Sequence, residues 1–162
     1  MQQIWKACIA GLAGGLLGSL VMGKVHSAVG QLVSAPPPQG EDSTVKTASA
    51  LSRAVLHRDL TREEKQKASP IVHYAFGGSI GAAYGAIAEF VPILRAGSGV
   101  LFGSAVWLGA HVIAVPALGL SKPVTRLSPR QEAAEFAAHI AYESVVELVR
   151  TGARAVWPNS TR

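Results

Sequence analysis

Glu135, His139, Glu143 and Glu147 follow one another at four-residue steps through the apolar stretch AEFAAHIAYESVVELVR, residues 134–150. At about 100° per residue they form one stripe spanning roughly 120° of a helix. The remaining circumference carries Ala, Ile, Leu and Val, with Tyr142 at the polar edge. Imidazoles and carboxylates can pass protons, pair across helices or ligate a metal or haem. A Glu/His pair at i, i+4 is a weak metal signal on its own. His73, Glu89, His111 and Arg150 are further candidates, because each interrupts or borders an apolar segment.

What surrounds these groups decides their use. No Asp, Glu, Lys or Arg occurs from Ala7 to Gly23, from Ile71 to Ala88, or from Ala96 to Ser121. A soluble amphipathic helix keeps a charged outer face, and these segments have none. The third exceeds the roughly 20 residues that cross a hydrocarbon core. Charge crowds instead into residues 41–67, 122–132 and the C-terminal tail. Taken alone, the 134–150 helix could lie polar face outward in water. Beside three apolar spans, its stripe is expected to turn inward, since ionisable groups in a span persist where they pair or line a cavity.

Glycine supports a lipid setting. Gly11 and Gly15, Gly14 and Gly18, Gly77, Gly81 and Gly85, and Gly99 and Gly103 recur at four-residue steps. Such spacing makes a groove for a second helix backbone in a membrane. Period-two alternation is absent, which disfavours strands. The first segment also has signal-peptide features, with Lys6 ahead of it and the small-residue site Val33-Ser34-Ala35 behind. Its apolar run is long for a signal, and Pro36, Pro37 and Pro38 would obstruct cleavage, so a retained span is expected.

The expected organisation is one all-α membrane domain over residues 1–162, an integral four-helix bundle. Spans are placed at about 4–33, 71–94, 98–118 and 132–151, with a polar loop at 34–69 carrying a short amphipathic surface helix, 43–56. Lys24 can snorkel to the interface. Thr61 and Glu64 have capping-box spacing, and Ser128 with Pro129 reads as a helix start. Pro70 either bends the second span or opens it. With neighbouring helices antiparallel, two polar clusters are expected: His73, His111, Glu135 and His139 toward one side, and Glu89, Glu147 and Arg150 toward the other.

At these residues the sequence resembles the YagU-like bacterial inner-membrane proteins, which contain a domain of unknown function. The resemblance rests on His73, Ala88-Glu89 with Pro92, His111 with Pro116 and Gly119-Leu120, then Glu135, His139, Glu147 and Arg150. It covers about residues 70–150 and leaves out the proline-rich loop, the surface helix and Glu143. It implies a four-span inner-membrane protein with cytoplasmic termini and no established catalytic activity. Charge points the other way. Lys6, Arg95, Arg150, Arg154 and Arg162 share the termini's side, and most basic residues lie opposite, which by the positive-inside rule puts the termini outside. The orientation implied by the resemblance is preferred.

Other chemistries are disfavoured. Gly77-Gly78-Ser79-Ile80-Gly81 matches a hydrolase elbow, but lies in an apolar helix without the preceding strand. Gly97-x-Gly99 lacks the strand of a dinucleotide fingerprint. Cys8 is the single cysteine, so no internal disulfide forms. The net charge of +5 is spread over loops and ends, which suits anionic lipid rather than nucleic acid. No cofactor and no enzyme activity are expected. Expected partners are membrane lipids and either a second copy or a larger membrane complex. The functions that stay open are proton or small-solute handling through the His/Glu interior, a structural or accessory role in a membrane complex, or membrane metal or haem binding.

Overall fold

The computed structural model describes residues 4–34 and 40–157. Within them the chain is all-helical, without a strand. Its helices are α1 (Ile4–Leu32), α2 (Ser43–Leu56), α3 (Arg62–Phe90), α4 (Val100–Ala117) and α5 (Pro129–Val156). The Pro36-Pro37-Pro38 break and the end of the small-residue site at Ala35 lie outside the described residues.

Local chemistry sets the helix ends. Asp42 caps α2 by accepting from the Thr44 N–H at 3.0 Å, and α2 ends where His57 turns left-handed. The expected capping box opens α3. Thr61 Oγ1 accepts from the Glu64 N–H and the Glu64 carboxylate accepts from the Thr61 N–H. Pro70 lies inside α3 rather than at its start, and the helix stops at Phe90, just before Val91 and Pro92. A 3-10 turn, Pro92–Arg95, leads to Gly97, Ser98 and Gly99, all with positive φ. Ser128 and Gln131 form a second capping box, with Pro129 in the first turn of α5. That helix runs beyond both ends of the expected 132–151 span.

The middle of α4 departs from a regular α-helix. Trp107–Ala114 is π-helical, an arrangement that widens the helix and often occurs at functional positions. Pro116 follows it, and its missing N–H removes a donor to the preceding turn.

Packing centres on α1, which lies against both α3 and α5, while α4 packs on α5 and α2 on α3. The α1–α3 seam is antiparallel and built from small residues. Ala7, Gly11 and Gly15 oppose Gly85, Gly81 and Gly77, and a Cβ on Gly11, Gly81 or Gly85 would overlap a carbonyl oxygen of the facing helix. The α1–α5 seam is also antiparallel. A Cβ on Gly14 would lie 2.9 Å from the Val146 Cα, and one on Gly18 would lie 2.8 Å from the Tyr142 carbonyl oxygen.

Large apolar side chains point outward. Leu12, Leu16, Leu17 and Leu20 of α1, Phe76 and Phe90 of α3, Leu108 and Ile113 of α4, and Leu148 of α5 are all exposed. The interior holds Gly, Ala and Ser together with Tyr84, Tyr142, Val146, Glu143 and Arg150. Helix α2 follows the same rule. Its buried face is Ala48, Ser49 and Ser52, whereas Leu51, Val55 and Leu56 face away from the protein. Helices α1 and α4 are each long and apolar enough to cross a membrane.

Candidate functional site

Antiparallel packing brings the second expected cluster together at the end shared by the start of α1, the end of α3 and the end of α5. Arg150 Nε and Nη2 donate to the two oxygens of Glu147 at 2.6 and 2.7 Å. Its Nη1 reaches Glu89 Oε1 at 3.3 Å. Arg154 pairs with the other Glu89 oxygen at 2.9 Å, and Tyr84 donates its hydroxyl proton to Glu147 at 2.7 Å. Two guanidinium groups thus face two carboxylates. Arg150 and Glu89 are nearly fully buried, so the bidentate geometry and charge balance are what make this burial tolerable.

The first cluster forms at the opposite end with altered membership. The His111 and His139 rings lie 5.8 Å apart, and His111 Nε2 is 3.3 Å from Glu132 Oε1. Glu135 pairs with His26 Nε2 at 3.2 Å. His139 Nδ1 contacts the Glu135 carbonyl oxygen at 2.8 Å. A carbonyl only accepts, so that nitrogen carries the proton and Nε2 is the ring's remaining position. Trp107 stacks near His111 and meets Phe136 edge-on, closing the cluster on the α4 side.

His73 does not join this cluster. The tight α1–α3 seam holds it against α1, where its Nε2–H donates to the Ser19 carbonyl at 3.1 Å. His26 of α1 stands in the cluster instead. A sequence signal for it existed: Gly14, Gly18, Met22 and His26 continue the four-residue step of the face that meets α5. Glu132, Tyr84 and Arg154 were also absent from the expected clusters. Tyr84 with Ala88 marks the face of α3 adjoining its glycine seam, and both are fully buried.

Between the clusters sits Glu143. Its side chain is fully buried, and neither carboxyl oxygen has a hydrogen-bond partner among the described residues. Gly99, just before α4, and Gly103, within it, face Glu143. A Cβ on Gly99 would lie 2.9 Å from the Glu143 Cγ, and one on Gly103 would lie 3.0 Å from its Cβ. These two expected packing glycines therefore make room for the backbone and side-chain stem of Glu143. Gly77, Gly81 and Gly85 serve the α1–α3 seam. Ser79 of the elbow-like motif is exposed on α3 and donates to the Ala75 carbonyl. Among the described residues no group of three or more His, Cys, Asp or Glu is arranged to hold a metal ion.

The family model for a protein of unknown function, DUF1440, matches residues 36–148. The chain belongs to this family. The match takes in α2, which the resemblance over about residues 70–150 had left out, together with α3, α4 and most of α5. Family membership assigns no activity. Comparison with curated proteins and with solved structures gives no match.

Proposed function

We propose that this member of the family is a four-span bacterial inner-membrane protein, not an enzyme, that handles protons through the polar column on α5. The observation that carries the reading is the inverted distribution of side chains. Leucine and phenylalanine face outward, while Glu143 and Arg150 are buried and His139 and Glu147 are half-buried beside them. In water this arrangement exposes apolar surface and buries charge, both unfavourable. In lipid the outer face is matched to its solvent, and small residues let helices approach closely. Helices α1 and α4 meet the length and composition of spans. For α3 and α5, the inward turn of Glu89, Glu147 and Arg150 supports the same placement. The exposed Leu51, Val55 and Leu56 of α2 suit a helix lying at the lipid surface.

Helix α1 is read as retained, because α3 and α5 both pack on it. The termini are read as cytoplasmic, on the resemblance described above. Along α5, Glu135, His139, Glu143 and Glu147 are spaced about 6 Å apart in rise, a ladder of groups able to accept and release protons.

Proteoliposomes loaded with a pH-sensitive dye test this reading. Wild type is expected to pass protons down an imposed gradient, and His111→Gln with His139→Gln to lose the flux. Absence of flux in the wild type, or no change in the double variant, removes it. An accessory role in a larger complex is favoured by one observation: α4 is largely unburied, and Gly109 has no neighbour within 4 Å. Mass measurement in mild detergent separates the two, since an accessory subunit would copurify with a partner.

A further inference from the structure

The polar groups around Glu143 are already committed. Tyr84 donates to Glu147, Tyr142 donates to the Gly77 carbonyl, and Arg150 is engaged by Glu147 and Glu89. Opposite it stand Gly99, at the turn before α4, and Gly103 of α4, which carry no titratable group. On α5, the ionisable groups one turn away on either side are His139 and Glu147. Helix α1 meets the neighbouring residues Tyr142 and Val146 through Gly18 and Gly14. No cation is paired with Glu143 among the described residues, while of the other two carboxylates near it that face the interior, Glu147 pairs with Arg150 and Glu89 with both Arg150 and Arg154.

We propose that Glu143 is a proton-binding site, carrying one exchangeable proton between the imidazole cluster and the Tyr84–Glu147–Arg150 cluster. The inference rests on the membrane reading above and gives that column its working residue. A bare carboxylate in this niche finds no donor among the described residues to replace its lost hydration. Adding one proton removes the charge without adding bulk. A metal cation would need several oxygen or nitrogen ligands, and Glu143 offers one carboxyl group against glycine. The proton reaches it from the imidazole side. His139 holds its Nδ1 proton on the Glu135 carbonyl, so Nε2 is the position that can load and release. Transfer from an imidazolium to the Glu143 carboxylate leaves a neutral imidazole and a neutral acid, with charge conserved.

Dicyclohexylcarbodiimide tests this on the full chain in proteoliposomes, because the reagent enters lipid and reacts with the acid form of a carboxyl group. The acid proton passes to a carbodiimide nitrogen, the carboxyl oxygen adds to the central carbon, and rearrangement leaves a stable N-acylurea. Peptide mass spectrometry should place the label on Glu143. Its rate should fall about tenfold per pH unit once the acid form is the minority. No label on Glu143, or a rate independent of pH, overturns the proposal. Protection by sodium or potassium at fixed pH overturns it too, by making the occupant a metal cation. Infrared spectra supply a second readout. A carboxylic-acid carbonyl band should be present at neutral pH, shift in D2O and vanish in Glu143→Gln. A band that survives this substitution, or that does not shift, contradicts the proposal. Flux separates the two readings. If wild type conducts and Glu143→Gln conducts equally, the site falls and the proton reading stands. If wild type does not conduct but Glu143 shows the label and the band, the site stands and the flux reading falls.

Discussion

Gly11 of α1 and Gly81 of α3 meet backbone to backbone, so closely that a methyl group on either would overlap the carbonyl oxygen of the other. A Cβ on Gly81 would also lie 2.8 Å from the Gly15 Cα. Backbone cannot yield as a flexible side chain can. Gly81→Ala should therefore force α1 and α3 apart and cost about 1–3 kcal/mol, the usual range for overpacking. Gly109→Ala, with open space around it, should be neutral or gain up to about 1 kcal/mol of helix propensity. Unfolding in mixed detergent and denaturant, followed by circular dichroism, compares the two.

The Glu89–Arg150–Glu147 network predicts a large loss from a single deletion. Arg150→Met leaves Glu147 without its cation and Glu89 with Arg154 alone. Loss of one partner of a buried pair costs roughly 3–5 kcal/mol. Adding Glu147→Gln to Arg150→Met should restore part of that loss. Thermal denaturation of the single and double variants in detergent gives the coupling.

Membership of the imidazole cluster is tested by coupling between sites. His26→Gln and Glu135→Gln should be non-additive by about 0.5–3 kcal/mol, as expected for residues in direct contact. His73→Gln and Glu135→Gln should add, because His73 is bonded to Ser19 on the other seam.

The start of α3 predicts an acid-dependent feature outside the spans. Arg58 donates twice to Glu64, at 2.9 and 2.6 Å. That pair, followed by the Thr61 backbone N–H, holds the Glu64 carboxyl at about 2, against an ordinary value of 4.5. The native carboxyl binds its proton less readily than the unfolded one. Its contribution is thus complete above the ordinary value and is lost as pH falls toward about 2. Carbon-detected NMR titration should find Glu64 ionised well below the ordinary value of 4.5, and Arg58→Ala should return it toward that value.

Much of the architecture was legible because it rests on short-range rules. The bounds of α2, the Thr61/Glu64 box, the Ser128/Pro129 start and the turn at 92–99 each follow from a few adjacent residues. Four-residue glycine spacing told which helices have a groove, and the α1–α3 seam uses it. The Glu89–Glu147–Arg150 cluster was accessible because antiparallel order places it at one level. Partner choice was harder. His73 bonds the Ser19 carbonyl, seven residues before His26 on α1, which is about 10 Å of helix rise from the level where His26 meets Glu135, and residue spacing alone does not give that offset. The π-helical Trp107–Ala114 segment turns His111 in a way that a regular 3.6-residue period does not supply. Glu143 looked like one more member of the stripe. Its isolation appears only when the Gly99 and Gly103 faces close over it.

Site-directed spin labelling in lipid bilayers tests most directly whether lipid surrounds this bundle with its ionisable column inside. Single cysteines on a Cys8→Ser background, at Leu17, Leu108, Ile113 and Leu148, should be relaxed strongly by oxygen and weakly by a water-soluble nickel chelate. A label at Ala138, fully buried beside the column, should be reached by neither. Strong relaxation of Leu17, Leu108 and Leu148 by the nickel chelate would put water where the account puts lipid, and contradict it.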